Sequence, residues 1–306
     1  MTWLVFAFSG PILWAASTHM DKYLVERYFK DSDVAVLLVF TALIGLVTLP
    51  FIRVFAPGVA EVGLANAALM GLSGVLYMGA MLFYLQALQT EEASVVAPFF
   101  QAGPLFGFVL GYVVLGETLS PAQLAGGALI VGGTLLVSLR SRPHAAGRRA
   151  RFNTRLAALM LACALALAVS SLIFKIFALR DEFWPTTFWM FVGEALFGAA
   201  LLGIASYRRQ FIDLLRANPI AVLSINAANE LINLGGGLGT RFALTLAPLG
   251  LVQAIGSTTT LFVFGIGFIL SIFFPALSRE NLAAPELLRK GGAAMLVAAG
   301  AYLVGR

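Results

Sequence analysis

The chain has 306 residues, of which 60% are hydrophobic and 11% charged, with a net charge of +5 and a mean hydropathy of +0.91. A soluble domain carries about 25% charged residues, so most of this chain is expected to lie in lipid. The single Cys163 excludes an internal disulfide and a cysteine metal cluster. The basic residues fall in short loops and not along one face, which argues against nucleic acid as a partner.

Apolar runs of roughly 20 residues, the length that crosses a bilayer as a helix, divide the sequence into ten predicted spans. They are Trp3–Tyr23, Val34–Val54, Leu64–Leu88, Ser94–Leu115, Pro121–Leu139, Leu156–Ala178, Pro185–Tyr207, Ile220–Leu246, Leu249–Phe274 and Leu288–Val304. All are expected to be helices, because lipid offers the backbone no hydrogen-bond partner. The first span is longer than a signal-peptide core, so no cleavable leader is expected. Only the Arg-rich stretch Arg140–Arg155 resembles a linker, and it separates residues 1–139 from residues 156–306.

Polar residues inside spans are the first candidates for a site, since a charge at the bilayer centre costs ~2.5–3.5 kcal/mol or more. In span one Trp14, Ser17, Thr18 and Asp21 approximate one face. Trp14 and Ser17 are candidate cavity residues, whereas Asp21 and Lys22 lie close enough to the end to snorkel. Span three carries Asn66, Ser73, Tyr77 and Tyr84. Span four carries Pro98, Gln101 and Pro104, the prolines allowing a bend. Lys175 in span six either snorkels or partners Glu194, which sits mid-span in span seven and needs a counter-charge.

Span eight is the richest. Asn226, Asn229, Glu230, Asn233, Gly237 and Arg241 follow i, i+3, i+4, i+7, i+11 and i+15 spacing and so share a helical face. They are expected either to wall a cavity, with Glu230 as the ion-coupling residue, or to bond neighbouring helices, with Glu230 paired to Arg241. In span nine Gln253 is a candidate, while Ser257 and Thr258–Thr260 are expected to bond back to their own helix. Gly126, Gly127, Gly132 and Gly133 in span five, with Gly291 and Gly292 in span ten, form small-residue faces. These suit tight packing, either within one subunit or across a homodimer.

The chain also repeats. An offset of 156 lays Ser94–Leu115 over Leu251–Ile272, and 153 lays Ser17, Thr18 and Lys22 over Ser170, Ser171 and Lys175. The offset of 156 places Asn229 on Ser73, Glu230 on Gly74 and Asn233 on Tyr77, so both halves present a polar stripe at matching positions. Five spans per half would make the halves enter the membrane from opposite sides, with a solute site at their interface. Basic residues favour one set of loops: Arg27 and Lys30; the Arg140–Arg155 segment; Arg208, Arg209 and Arg216; and Arg279, Arg289 and Lys290. By the positive-inside rule that set is cytoplasmic and both termini face outward.

The run Ala93-Ser-Val-Val-Ala-Pro-Phe-Phe-Gln-Ala-Gly-Pro-Leu-Phe-Gly107, followed by Leu115-Gly-Glu-Thr-Leu-Ser-Pro-Ala-Gln-Leu-Ala-Gly-Gly-Ala-Leu-Ile-Val-Gly-Gly133, resembles the repeat of EamA-type carriers of the drug/metabolite transporter superfamily. The second half departs from it: Thr260 stands for Pro104, and Ile272-Phe273 for Gly116-Glu117. The resemblance implies an all-α membrane protein of ten helices in two inverted five-helix repeats, exporting small metabolites such as amino acids across the plasma (inner) membrane. No cofactor or metal is expected, and the partners expected are the solute, the lipid and, if the chain is not a monomer, a second copy in a homodimer.

Three function classes compete: a secondary carrier, a channel, and an intramembrane enzyme. His19, His144 and Cys163 supply neither a His-Glu-x-x-His site nor a nucleophile pair, which argues against the enzyme. A phosphate-ester or nucleotide-sugar exchanger should hold several mid-span cations, and only Lys175 and Arg241 qualify. The orientation is checked with cysteine at Ser141, which should resist impermeant thiol reagents in intact cells. Ready labelling there would reverse the topology.

Overall fold

The computed structural model describes residues 2–28, 32–90, 102–138, 154–217, 219–273 and 284–305. Among them there is no strand. The helices are α1 (Thr2–Arg27), α2 (Ala35–Phe55), α3 (Leu64–Thr90), α4 (Ala102–Leu115), α5 (Pro121–Ser138), α6 (Thr154–Arg180), α7 (Phe183–Gly203), α8 (Ala205–Ala217), α9 (Pro219–Leu246), α10 (Leu249–Ser257), α11 (Thr259–Phe273) and α12 (Ala284–Val304). Six segments are long and apolar enough to cross a membrane: Ala35–Phe55, Leu64–Ala87, Ala157–Arg180, Phe183–Gly203, Leu249–Phe273 and Leu287–Val304. A seventh follows if Ala205–Ala217 and Val222–Leu246, bent by 114°, count together; Ala102–Leu115 and Pro121–Leu136 are apolar but shorter. Apolar side chains such as Phe55, Val113 and Met295 are more than two-thirds exposed, as a lipid-facing surface requires.

Two expectations need correcting. The arginine-bearing stretch after the seventh predicted span is not a loop. It is the amphipathic helix α8, with Phe211, Leu214 and Leu215 packed on Leu24, Val36, Phe40 and Val222, and Arg208, Arg209 and Arg216 exposed. Its apolar residues recur at helical spacing within a charged run, a pattern that a search for long apolar stretches passes over. The ninth predicted span breaks at Thr258 into α10 and α11. Ser257, Thr258 and Thr259 donate to the carbonyls of Ala254, Ile255 and Gly256, which satisfies the acceptors freed at the break.

The helices pair closely. α1 lies on α9, with Phe6 against Phe242 and Leu24 against Val222, so the two run antiparallel. α3 lies antiparallel on α6, where Ser170 Oγ donates to Ser73 O at 2.7 Å and Cys163 Sγ to Ala80 O at 3.1 Å. α2 packs on α7, α4 on α6 and α10, and α5 on α12.

Small residues permit this approach, since helices in lipid associate through close packing and not through water exclusion. A Cβ on Gly126 would meet Gly300 O at 2.7 Å, and one on Gly133 would meet Ala293 O at 2.9 Å. Gly127 faces the Phe108 ring, whereas Gly132, Gly291 and Gly292 have open space beside them. The small-residue face is therefore used inside the subunit at some positions only.

The tightest crossing is α3 with α7. A Cβ on Gly193 would meet the Gly71 carbonyl oxygen, and one on Gly74 the Met190 carbonyl oxygen. Backbone cannot yield as a side chain can. Gly193→Ala should lower stability by about 1–3 kcal/mol, read as a lower melting temperature in detergent, while Gly291→Ala should leave it unchanged. Equal behaviour of the two variants would remove this packing argument.

Candidate functional site

Charges inside the bundle fall into three groups. The central one lies between α2, α3, α7 and α9, around a cavity of about 40 Å³ lined by Thr41, Tyr77, Phe191, Glu194, Glu230, Asn233 and Arg241. A cavity needs about 10–15 Å³ of such space to hold one water, so the chamber has room for a few waters. Arg241 Nη2 donates to Glu194 Oε1 at 2.9 Å, with side-chain exposures of 13% and 4%. The guanidinium also lies over the rings of Phe191 and Tyr77, 5.0 and 5.8 Å from their centroids. Such cation–π contacts strengthen when desolvated. Across the cavity Glu230, 6% exposed, accepts a hydrogen bond from Thr41 Oγ1 at 3.0 Å.

This corrects two expected pairings. Arg241 is matched to Glu194 on α7 and not to Glu230 on its own helix. Lys175 neither snorkels nor reaches Glu194. It is buried at 5% exposure, its Nζ 2.5 Å from Glu117 Oε1, and it also donates to Ala247 O. Glu117 Oε2 in turn accepts from the backbone N–H of Leu249 at 2.8 Å. The Gly-Glu of the sequence motif has a local use. Gly116 takes φ +65° to end α4, and the next residue ties that end to α6 and to the start of α10.

The third group joins α1 to α9. Asn229 Nδ2 donates to Asp21 Oδ1 at 2.6 Å, and Asn229 Oδ1 is buried without a protein partner. Asp21 is thus half-buried and engaged, contrary to the snorkelling expectation. Ser17, 2% exposed, lies beside it.

Of the residues singled out from sequence, Tyr77, Asn233 and Glu230 meet at the cavity. Asn229 and Ser17 belong to the neighbouring Asp21 group. Trp14 packs at the crossing of Gly10 and Gly236. Asn226 Nδ2 donates to Val222 O of its own helix, which is neither the cavity role nor the bond to a neighbouring helix expected of it. Tyr84 is half-buried further along α3, and Gln253 Oε1 is buried without a partner beside Gly107. Gln101 and Pro98 lie outside the described residues. Thr41, Phe191 and Asp21 were missed as site residues. Thr41 had a signal available, since the offset of 153 carries it onto Glu194.

Removing one partner of a buried ion pair leaves an uncompensated charge and costs about 3–5 kcal/mol. Lys175→Met should therefore sharply lower the melting temperature of the purified chain. The double variant Lys175→Met with Glu117→Gln should recover much of it. An unchanged melting temperature in Lys175→Met would mean that the pair carries no weight.

Residues 1–139 match the sequence model of the EamA-like transporter family. No curated protein matches the chain. Twenty-six chains of solved structures do. One, described only as a crystal structure of a protein, is 16% identical with a TM-score of 0.65, over 99% of this chain and 96% of its own. At that identity the likeness concerns the fold alone. The chain is a multi-pass membrane protein whose residues 1–139 are similar to the EamA-like transporter family.

Proposed function

We propose that the chain is a secondary carrier that moves small amino-acid-like or amphipathic solutes across the plasma membrane by alternating access, as an exporter. The observation that carries this is the central cavity, whose walls come from both halves of the chain. α2 and α3 supply Thr41 and Tyr77, while α7 and α9 supply Glu194, Glu230, Asn233 and Arg241. An enzyme is not proposed, since the family that residues 1–139 match is one of transporters.

In this proposal residues 1–139 and 156–306 are two inverted five-helix repeats joined by a cytoplasmic linker at 140–155, with both termini outside. Helix pairing supports it. Under the offsets of 153 and 156, the contact of α1 with α9 is the counterpart of that of α3 with α6, and α2 with α7 is its own counterpart. Gly45 and Gly198, mates under the offset of 153, both sit at the α2–α7 crossing, against Phe191 and Ala42 respectively. α10 and α11 together form the ninth span, and α8 lies at the cytoplasmic surface, its exposed arginines suiting that side.

Glu230 is the ion-coupling residue of this proposal. Arg241 is occupied by Glu194, no cation among the described residues pairs with Glu230, and Thr41 donates a hydrogen bond to it. A buried carboxylate without a cation must take up a proton or a cationic ligand to be tolerated. Glu230→Gln keeps the shape and can still accept from Thr41 while fixing the charge at zero. In proteoliposomes this variant should lose pH-driven uphill transport and keep downhill exchange. Uphill transport with an unchanged pH profile would remove Glu230 from the mechanism. Counterflow of unlabelled against labelled solute separates the carrier from a channel, which cannot support it.

A further inference from the structure

We infer that Arg241 is the carboxylate-recognition residue for a zwitterionic, amino-acid-type solute, and that Glu194 holds its place while the cavity is empty. This rests on the carrier reading above and adds the identity of the recognised group.

The geometry is that of a recognition point already occupied from within. Arg241 lies in the cavity wall and not behind it, its guanidinium over the rings of Phe191 and Tyr77. Its contact with Glu194 runs from one Nη atom to one oxygen, whereas a carboxylate bound to the guanidinium fork makes two parallel hydrogen bonds. A solute carboxylate can therefore replace Glu194 with a gain in hydrogen bonding. Both side chains have room to move: beside Glu194 Oε2 stands Gly45, and beside the guanidinium Gly237. A chamber of about 40 Å³ is too small for any amino acid, so solute entry requires the walls to separate.

Among solutes that carry a carboxylate, charge counting selects the zwitterion. The cavity holds two carboxylates, Glu194 and Glu230, and one guanidinium. A simple anion that took Arg241 would leave Glu194 buried and unpaired, which is strongly unfavourable. A simple cation would find Glu230 but give no reason to break the Arg241 pair. A solute with both groups offers its carboxylate to Arg241 and its ammonium to the carboxylates. A phosphate ester, with more negative charge, would face the same two carboxylates with one cation to meet it, because Lys175 is engaged at Glu117.

The test is thermal stabilisation of the purified chain by each common amino acid, by its decarboxylated amine and by its deaminated acid. At least one amino acid should raise the melting temperature, and neither of its single-charge analogues should match it. The double variant Glu194→Gln with Arg241→Gln leaves no unpaired charge and is expected to fold; it should lose the shift. Glu194→Gln alone, in which Arg241 has no internal competitor, should bind the same amino acid about tenfold or more tightly. The inference is overturned if no amino acid stabilises the protein, if the amine or acid alone does as well, or if the double variant keeps the shift. Counterflow of some other solute would then leave the carrier reading standing. Binding as expected without any counterflow would instead sink the carrier reading and keep the recognition point.

Discussion

An ionised side chain inside a membrane bundle must find a counter-charge or hydrogen-bond partner, and the arrangement of this molecule turns on that requirement. Each buried charged group named above is met by a different helix. Glu194 on α7 takes Arg241 on α9, Thr41 on α2 bonds Glu230 on α9, and Asp21 on α1 takes Asn229 on α9. Three neighbours are thus tied to one helix, which is why the long polar stripe of the sequence lies on α9. The ion pair of Glu117 with Lys175 performs the same task elsewhere, joining the α4–α5 connection to α6 and to the break between α9 and α10. Such pairs add little net stability over apolar packing of the same volume. What they add is a definite register, because a carboxylate displaced by one helical turn would lose its partner.

Those contacts are reachable only because the helices come unusually close. Where α3 crosses α7, Gly71, Gly74 and Gly193 bring backbone against backbone, which brings the start of Glu194 up to α3 and directs its carboxylate toward α9. Lipid tails are as apolar as leucine, so close packing replaces water exclusion as the force that holds such crossings. The α5–α12 pair uses the same device at Gly126, Gly133 and Gly300. It contributes packing and no chemistry.

Much of this was legible in the sequence. Helix positions followed from apolar length, and the α9 stripe from helical spacing, with Glu230, Asn233 and Tyr77 meeting at one cavity. Partners were not legible. Two carboxylates competed for Arg241 and two cations for Glu194, and spacing along one helix says nothing about which helix stands opposite. Asp21 was misread because distance from a helix end was taken for distance from the core. The amphipathic α8 was missed for a related reason, since six to seven apolar residues among arginines satisfy no length criterion for a span. The Thr258 break was hidden because its hydroxyls satisfy the backbone without a proline to mark the place.

Under the proposed repeat, the packing and the charges obey different rules. Gly45 and Gly198 occupy equivalent positions, as do the α1–α9 and α3–α6 contacts, so the scaffold is close to symmetric. The charges are not. Glu230 answers to Gly74, Glu194 to Thr41, and Glu117 to Phe273. Symmetric packing suits a machine that must have two comparable end states, since neither helix arrangement is then much favoured over its mirror partner. An asymmetric set of charges suits a solute whose two ends differ, because a symmetric pair of walls would bind either end equally. The same asymmetry weights the two states. The ion pair that ties Glu117 to Lys175 has no counterpart where Phe273 stands, so the end of the bundle closed by Glu117 gains a tie that the opposite end cannot form in the same way. Under the carrier proposal the empty molecule should rest with that end shut, the solute supplying the differential interaction that opens it.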